Sequence, residues 1–160
     1  MQRYIKKRTK QNNSLFFLYY SRFTVPLHPQ NVIKMKDICC IGHVTKDKIV
    51  TPSSTVYMAG GTSFYFAYAI NQLPKDVSFS LITAMDPTEK EPVEKMLKAG
   101  IDVTLNPSRN TVFFENIYGD NPNDRKQRVL AKADPFTIQQ LEHVEAKVFH
   151  LGSLLSDDFS

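Results

Sequence analysis

The sequence lacks tryptophan and has only two cysteines and six glycines in 160 residues. The cysteines, Cys39 and Cys40, are adjacent and build no disulfide scaffold, and a chain this long can bury a core without one. The glycines and nine prolines are scattered without period, which excludes collagen-like and low-complexity classes. No apolar run approaches the ~20 residues of a membrane-spanning helix. Reactive motifs are equally sparse. There is no CxxC, HxxxH or HExxH spacing for a metal, no G-x-S-x-G elbow, no GxxxxGK[ST] loop and no GxGxxG. No catalytic residue and no metal ligand is assigned. The neighbouring cysteines point to opposite faces of a strand and read as core thiols of a reducing compartment.

Acid is absent from the first 36 residues, which hold eight Lys or Arg, and Asp37 is the first carboxylate. The rest of the chain holds 12 basic and 16 acidic residues, so the net charge of +4 belongs to a leader and the body is mildly acidic. A nucleic-acid partner inferred from the overall charge would be an artefact of averaging two unlike segments. The leader, residues 1–36, shows no helical or strand period and reads as disordered or as an extension ahead of Met35. Its apolar stretch, Leu15 to Tyr20, is six residues with two tyrosines, too short for a secretory signal and followed by no small-residue cleavage site. An organellar presequence or a basic arm for membrane or RNA are the competing readings.

From Asp37 the pattern becomes that of a folded domain. Asp37 to Gly42 is a short apolar run suited to a buried parallel strand. Lys48 to Val50 and Thr55 to Met58 flank a turn-rich linker and predict a hairpin. The stretch Phe64 to Leu73 predicts a helix ending at Pro74. Val77 to Ala84 predicts a second core strand. Pro87 to Ala99 predicts one amphipathic helix with a stripe at Val93, Met96 and Leu97, capped by Gly100. Ile101 to Leu105 predicts a third strand. Thr111 to Tyr118 and Gln127 to Ala131 predict a second hairpin around a polar turn. Pro135 to Val144 predicts a short helix with Asp134 at its N-cap, and Lys147 to Gly152 a last core strand. Strands alternating with helices imply an α/β/α three-layer sheet decorated by two β excursions. The chain stops just after a strand, where such folds continue, so the sheet reads as truncated.

One region carries a binding hypothesis. Gly42 ends the first strand and Asp47 follows five residues on, where open α/β sheets bind their ligands. A carboxylate there can accept two hydroxyl hydrogen bonds from a polyol. Gly60 and Gly61 open a helix and let backbone amides approach a ligand with no Cβ in the way. The plainer readings are a solvated turn aspartate and an ordinary turn into a helix.

Taken in order, these residues resemble the N-terminal half of the ribokinase-like, or PfkB, carbohydrate kinase family. Ile41-Gly42-His43 through Asp47 is similar to the family's opening strand, glycine and sugar-binding aspartate. The run Gly60-Gly61-Thr62-Ser63-Phe64-Tyr65-Phe66-Ala67 resembles its Gly-Gly signature. Leu81 to Asp86 resembles its second-strand motif, and Glu94 to Val103 the helix, glycine and strand that follow. Thr111 begins a segment like its second lid portion, and Val148 to Leu151 resembles the strand before its middle. The sequence departs from the pattern at Thr45 and Tyr65, where asparagine is common, and at Met85, usually glycine.

The resemblance covers residues 37–160. It implies a ribokinase-like α/β/α sheet with a β lid, and the substrate-binding part of a kinase acting on a hydroxyl of a sugar, polyol or nucleoside. Asp47, Gly60 and Gly61 would be the substrate-binding residues. ATP and Mg2+ are the implied cofactors, held mainly by a C-terminal half whose Gly-Ala-Gly-Asp motif does not occur here. Further expectations are a cytoplasmic protein, a homodimer through the lid, and no nucleic-acid or membrane partner. The alternative is a non-catalytic carbohydrate- or nucleoside-binding module.

Overall fold

Strand β1 (Lys36–Ile41) is the centre of the molecule, because both of its faces are apolar and both are covered. The computed structural model describes residues 35–74, 76–121 and 123–160. Residues 1–34, and with them nearly all of the basic leader, lie outside the described residues. Met35 to Ser160 forms one compact unit. Cys40 packs on one face of β1 with Val44, Ala67, Leu81, Met96 and Ile101. Cys39 and Ile41 pack on the other with Ile82, Ala84 and Phe136. Each large side chain so buried contributes about 1.5–3 kcal/mol. Cys39 and Cys40 are both fully buried, on opposite faces, as strand alternation requires.

Strand β1 pairs in parallel with two neighbours, β4 (Phe79–Met85) and β8 (Ala146–Leu151). Strand β4 pairs in turn with β5 (Val103–Pro107), giving the all-parallel order β5-β4-β1-β8. Helices α1 (Thr62–Ile70) and α2 (Glu91–Lys98) bury Ala67 and Met96 in the Cys40 cluster. The opposite face is covered by the short helix α3 (Ile138–Leu141), Phe136 and Phe159. The architecture is the ribokinase-like three-layer α/β type.

Several boundaries differ from the sequence expectation for local reasons. Helix α1 runs from Thr62 to Ile70, earlier than Phe64 to Leu73, and ends in tightened i→i+3 bonds from Gln72 and Leu73 ahead of Pro74. The single helix expected over Pro87 to Ala99 is split. Pro87–Glu89 forms a 3₁₀ turn capped by Asp86, whose Oδ1 accepts from Thr88 N at 2.8 Å. Pro92 has no N–H to bond back to Thr88, so the α-helix begins afresh at Glu91. Val93 and Met96 are buried, but Leu97 is half exposed and leaves the expected stripe. The helix does close as expected on Gly100 (φ +84°): Gly100 N donates to Leu97 O and Ile101 N to Met96 O. At α3 the cap is Thr137 in a capping box with Gln140, not Asp134. Asp134 is instead taken by Arg109, whose Nε donates to it at 2.7 Å.

The two β excursions merge into one second sheet. Strands β2 (Thr45–Val50) and β3 (Thr55–Gly60) form one hairpin, and β6 (Phe113–Tyr118) and β7 (Arg125–Ala131) the other. Parallel pairing of β2 with β6 joins them in the order β3-β2-β6-β7. No helix among the described residues is long and apolar enough to cross a membrane.

Candidate functional site

Strand β2 starts at Thr45, so Asp47 stands inside a strand rather than in a turn. Alternation sends Lys46 and Lys48 to the other face of the sheet. There Lys46 pairs with Glu89 at 2.5 Å and Lys48 with the buried Glu115 at 2.9 Å. Asp47 is left without a lysine partner. Its Oδ1 accepts from Thr45 Oγ1 at 2.7 Å. Burial pushes the Asp47 carboxyl above its ordinary value, against the opposing pull of the Thr45 hydroxyl and the Arg125 charge. A half-buried carboxylate with one strong bond has acceptor capacity left for hydroxyl donors.

Gly60 belongs to this arrangement because Thr45 and Gly60 are register partners. A Cβ on Gly60 would collide with Asp47 Oδ2 and come within 3.2 Å of Thr45 Oγ1. Gly61 caps α1 at φ +95°, and a Cβ there would lie 2.7 Å from the His43 carbonyl oxygen. The fold thus brings Asp47, Gly60 and Gly61 together, Gly60 against the Asp47 carboxylate and Gly61 at the helix start behind it.

Asp47 opens on a cleft of about 710 Å³ that is also lined by Ile49, Met58, Tyr65, Asn116 and Arg125. Sequence reasoning missed Asn116, Arg125 and the role of Tyr65. Asn116 is buried on β6, and Gln127 Nε2 from β7 donates to its Oδ1 at 3.0 Å. This bond occupies the amide oxygen and leaves the amide N–H₂ without a protein acceptor among the described residues. The signal was an asparagine inside the β-prone run Phe113–Tyr118, a residue type depleted in strands. The site therefore offers an acceptor at Asp47, donors at Asn116, and an aromatic face at Tyr65. That set has the hydrogen-bonding capacity to match a molecule bearing several hydroxyls.

The cysteines offer no competing nucleophile. Burial pushes the Cys40 thiol up to about 11 and raises Cys39 as well, so neither forms a thiolate near neutrality. Among the described residues no group of three potential metal ligands is gathered.

The lid sheet over the open end of a parallel sheet, with a carboxylate and a glycine pair between them, is the arrangement of a ribokinase-like kinase fold, and the chain resembles the ribokinase (PfkB) family. More particularly, it is similar to pyrophosphate-dependent kinases within that family. One, solved as a sulfate complex, is 26% identical, with 77% of this chain and 43% of that chain covered and a TM-score of 0.65. Another, complexed with a pyrophosphate analogue and myo-inositol, is 27% identical over 77% of this chain and 42% of that chain, again at 0.65. A pyrophosphate-dependent myo-inositol-1 kinase converted into a myo-inositol-3 kinase shares the fold, with 24% identity, 76% and 40% coverage and a TM-score of 0.66. The chain spans about two-fifths of the length of these structures. No protein-family model and no curated protein matches the sequence.

Proposed function

We propose that this chain is the substrate-binding and lid part of a kinase that phosphorylates a hydroxyl of a cyclic polyol, with myo-inositol as the reference substrate. The observation that carries the reading is the Asp47 carboxylate, steadied by Thr45, accommodated by Gly60 and facing a cleft with Asn116. In this reading Asp47 accepts hydrogen bonds from two substrate hydroxyls, and Asn116 donates to a third oxygen. The lid then excludes water from the transfer. ATP with Mg2+ is the donor implied by the family resemblance, and the three similar structures are of pyrophosphate-dependent kinases. The described residues gather no carboxylate cluster for Mg2+, so no step is assigned to it here.

Calorimetric titration of the chain with myo-inositol, ribose and inosine tests the reading. Myo-inositol is expected to bind, and Asp47→Ala to weaken it roughly ten- to a hundredfold, the worth of a lost charge-assisted hydrogen bond. Unchanged binding in Asp47→Ala would remove the assignment.

A further inference from the structure

Asn116 lines the cleft from β6, and what it offers a ligand depends on which way its amide is turned. A carboxamide carries an acceptor oxygen and an N–H₂ donor on opposite branches of one plane. Turned one way it gives a ligand hydrogens; turned the other way it takes them. Asn116 is buried, and its register partner on the antiparallel strand β7 is Gln127. Residues so opposed stand close enough for their side chains to bond. Gln127 Nε2 donates to Asn116 Oδ1 at 3.0 Å. The Asn116 oxygen is thereby drawn towards β7, and the N–H₂ branch is turned away from it.

The register that opposes these two residues is held from the other face of the sheet. Their chain neighbours Glu115 and Arg128 are also register partners, joined by an ion pair to which Lys48 of β2 adds a second. A slip of one residue would break that row and swing Gln127 out of the cleft face. Gln127 is itself exposed, and the bond to Asn116 is the one side-chain hydrogen bond it makes among the described residues.

We propose that Gln127 is a positioning residue that holds Asn116 as a donor towards the cleft, so that the ligand oxygen received there need carry no hydrogen: the carbonyl oxygen of a keto-polyol is taken as readily as the hydroxyl of a polyol. The proposal rests on the polyol reading of the same cleft and adds a ligand class to it. A hydroxyl donates and accepts, so it suits either orientation of Asn116. A ketone oxygen only accepts, so it suits only the orientation that Gln127 imposes. On β2 the demand is the reverse, because an ionised Asp47 only accepts and the ligand groups facing it must be hydroxyls. Asp47 is the register partner of Phe114, and Ile49 that of Asn116, so Asp47 and Asn116 share one face of adjacent strands. A ligand is tested for hydrogens at one point and for a lone pair at the other, which gives it a direction in the cleft.

Calorimetry of the full chain at pH 7 tests this with myo-inositol, its mono-ketones (one ring hydroxyl oxidised) and its monodeoxy derivatives (one hydroxyl removed). At ring positions facing Asp47 both changes should weaken binding. At the position facing Asn116 the ketone should bind like myo-inositol, and the deoxy compound roughly three- to tenfold more weakly, the worth of one neutral hydrogen bond. Gln127→Glu sets an acceptor against Asn116, draws its N–H₂ to β7 and turns its oxygen to the cleft. There the ketone should fall to the level of the deoxy compound while myo-inositol keeps its affinity. Gln127→Lys, a donor of similar reach, should behave as the unmodified chain. The proposal is overturned if no ring position tolerates the ketone, or if Gln127→Glu leaves the tolerance unchanged. Side-chain amide hydrogen exchange, followed by NMR without ligand, tests the orientation separately. The protected N–H should belong to Gln127 in the unmodified chain and to Asn116 in Gln127→Glu. Protection of Asn116 beside a freely exchanging Gln127 in the unmodified chain would overturn the positioning role. If myo-inositol does not bind, the polyol reading falls, and the exchange pattern still decides whether Gln127 orients Asn116.

Discussion

Gly60 and Gly100 are glycines for different reasons, and the difference separates site from scaffold. A Cβ at Gly100 meets nothing within 4 Å, so only its positive φ demands glycine. Gly60 has no such torsion and is constrained by the Asp47 carboxylate lying over it. Gly60→Ala should displace that carboxylate and weaken myo-inositol binding roughly tenfold. Its melting temperature should change little, because the neighbour that gives way is a side-chain end. Calorimetry paired with a thermal melt checks both halves; wild-type affinity in Gly60→Ala would show that the carboxylate position is not used. At this scale the sequence was readable where chemistry and backbone coincide. Asp47, Gly60 and Gly61 stood out because a carboxylate and a glycine pair followed strand ends. Asn116 and Gln127 did not, because their meaning lies in a cross-strand bond between β6 and β7 that no local pattern announces.

Among the elements, α2 and its Gly100 stop were legible from period and capping chemistry, while the lid sheet was legible only as two separate hairpins. Their union depends on pairing between distant strands, and its outer face shows how that pairing is specified. Lys48 on β2, Glu115 on β6 and Arg128 on β7 are successive register partners, with Lys48 Nζ and Arg128 Nε each donating to Glu115 at 2.9 and 2.8 Å. The Lys48 ammonium first, and then the Arg128 guanidinium, hold the Glu115 carboxyl below its ordinary value. A depressed carboxylate stabilises the fold above its unfolded value of about 4.3 and loses that contribution as pH falls through the folded one. Glu115→Gln leaves two cations facing each other across the centre strand. It should lower the melting temperature by a few degrees at pH 7, and the two proteins should converge in acid. An equal gap at pH 3 and pH 7 in differential scanning calorimetry would argue against the ion row.

For the whole molecule, the exposed feature that matters is β8. It is the edge strand of the parallel sheet, and Val148, Phe149 and Leu151 are 56%, 46% and 60% exposed. The sequence marked this segment as a core-type strand, and its composition is that of one. What local pattern cannot supply is the neighbour that covers it. An open apolar edge is a template for association. The chain should therefore bind a hydrophobic dye and self-associate with rising concentration, and Val148→Lys with Leu151→Lys should reduce both. Light scattering that finds a dye-silent monomer for the unmodified chain would show the edge to be harmless.

The seam between β2 and β6 has a consequence for the order of folding. Lys48 and Glu115 meet although 67 positions separate them in the chain. Strand β4, helix α2 and strand β5 all lie within that interval. Contacts closing so long a loop are rewarded only after the intervening chain has been ordered. Each hairpin can form early on its own, but the sheet that roofs the cleft is assembled late. The same reasoning applies more strongly to the β1–β8 pair of the parallel sheet, where Lys147 meets Asp37 across 110 positions. Both sheets of the molecule are thus closed by contacts between distant parts of the chain, and each must wait for the elements between them.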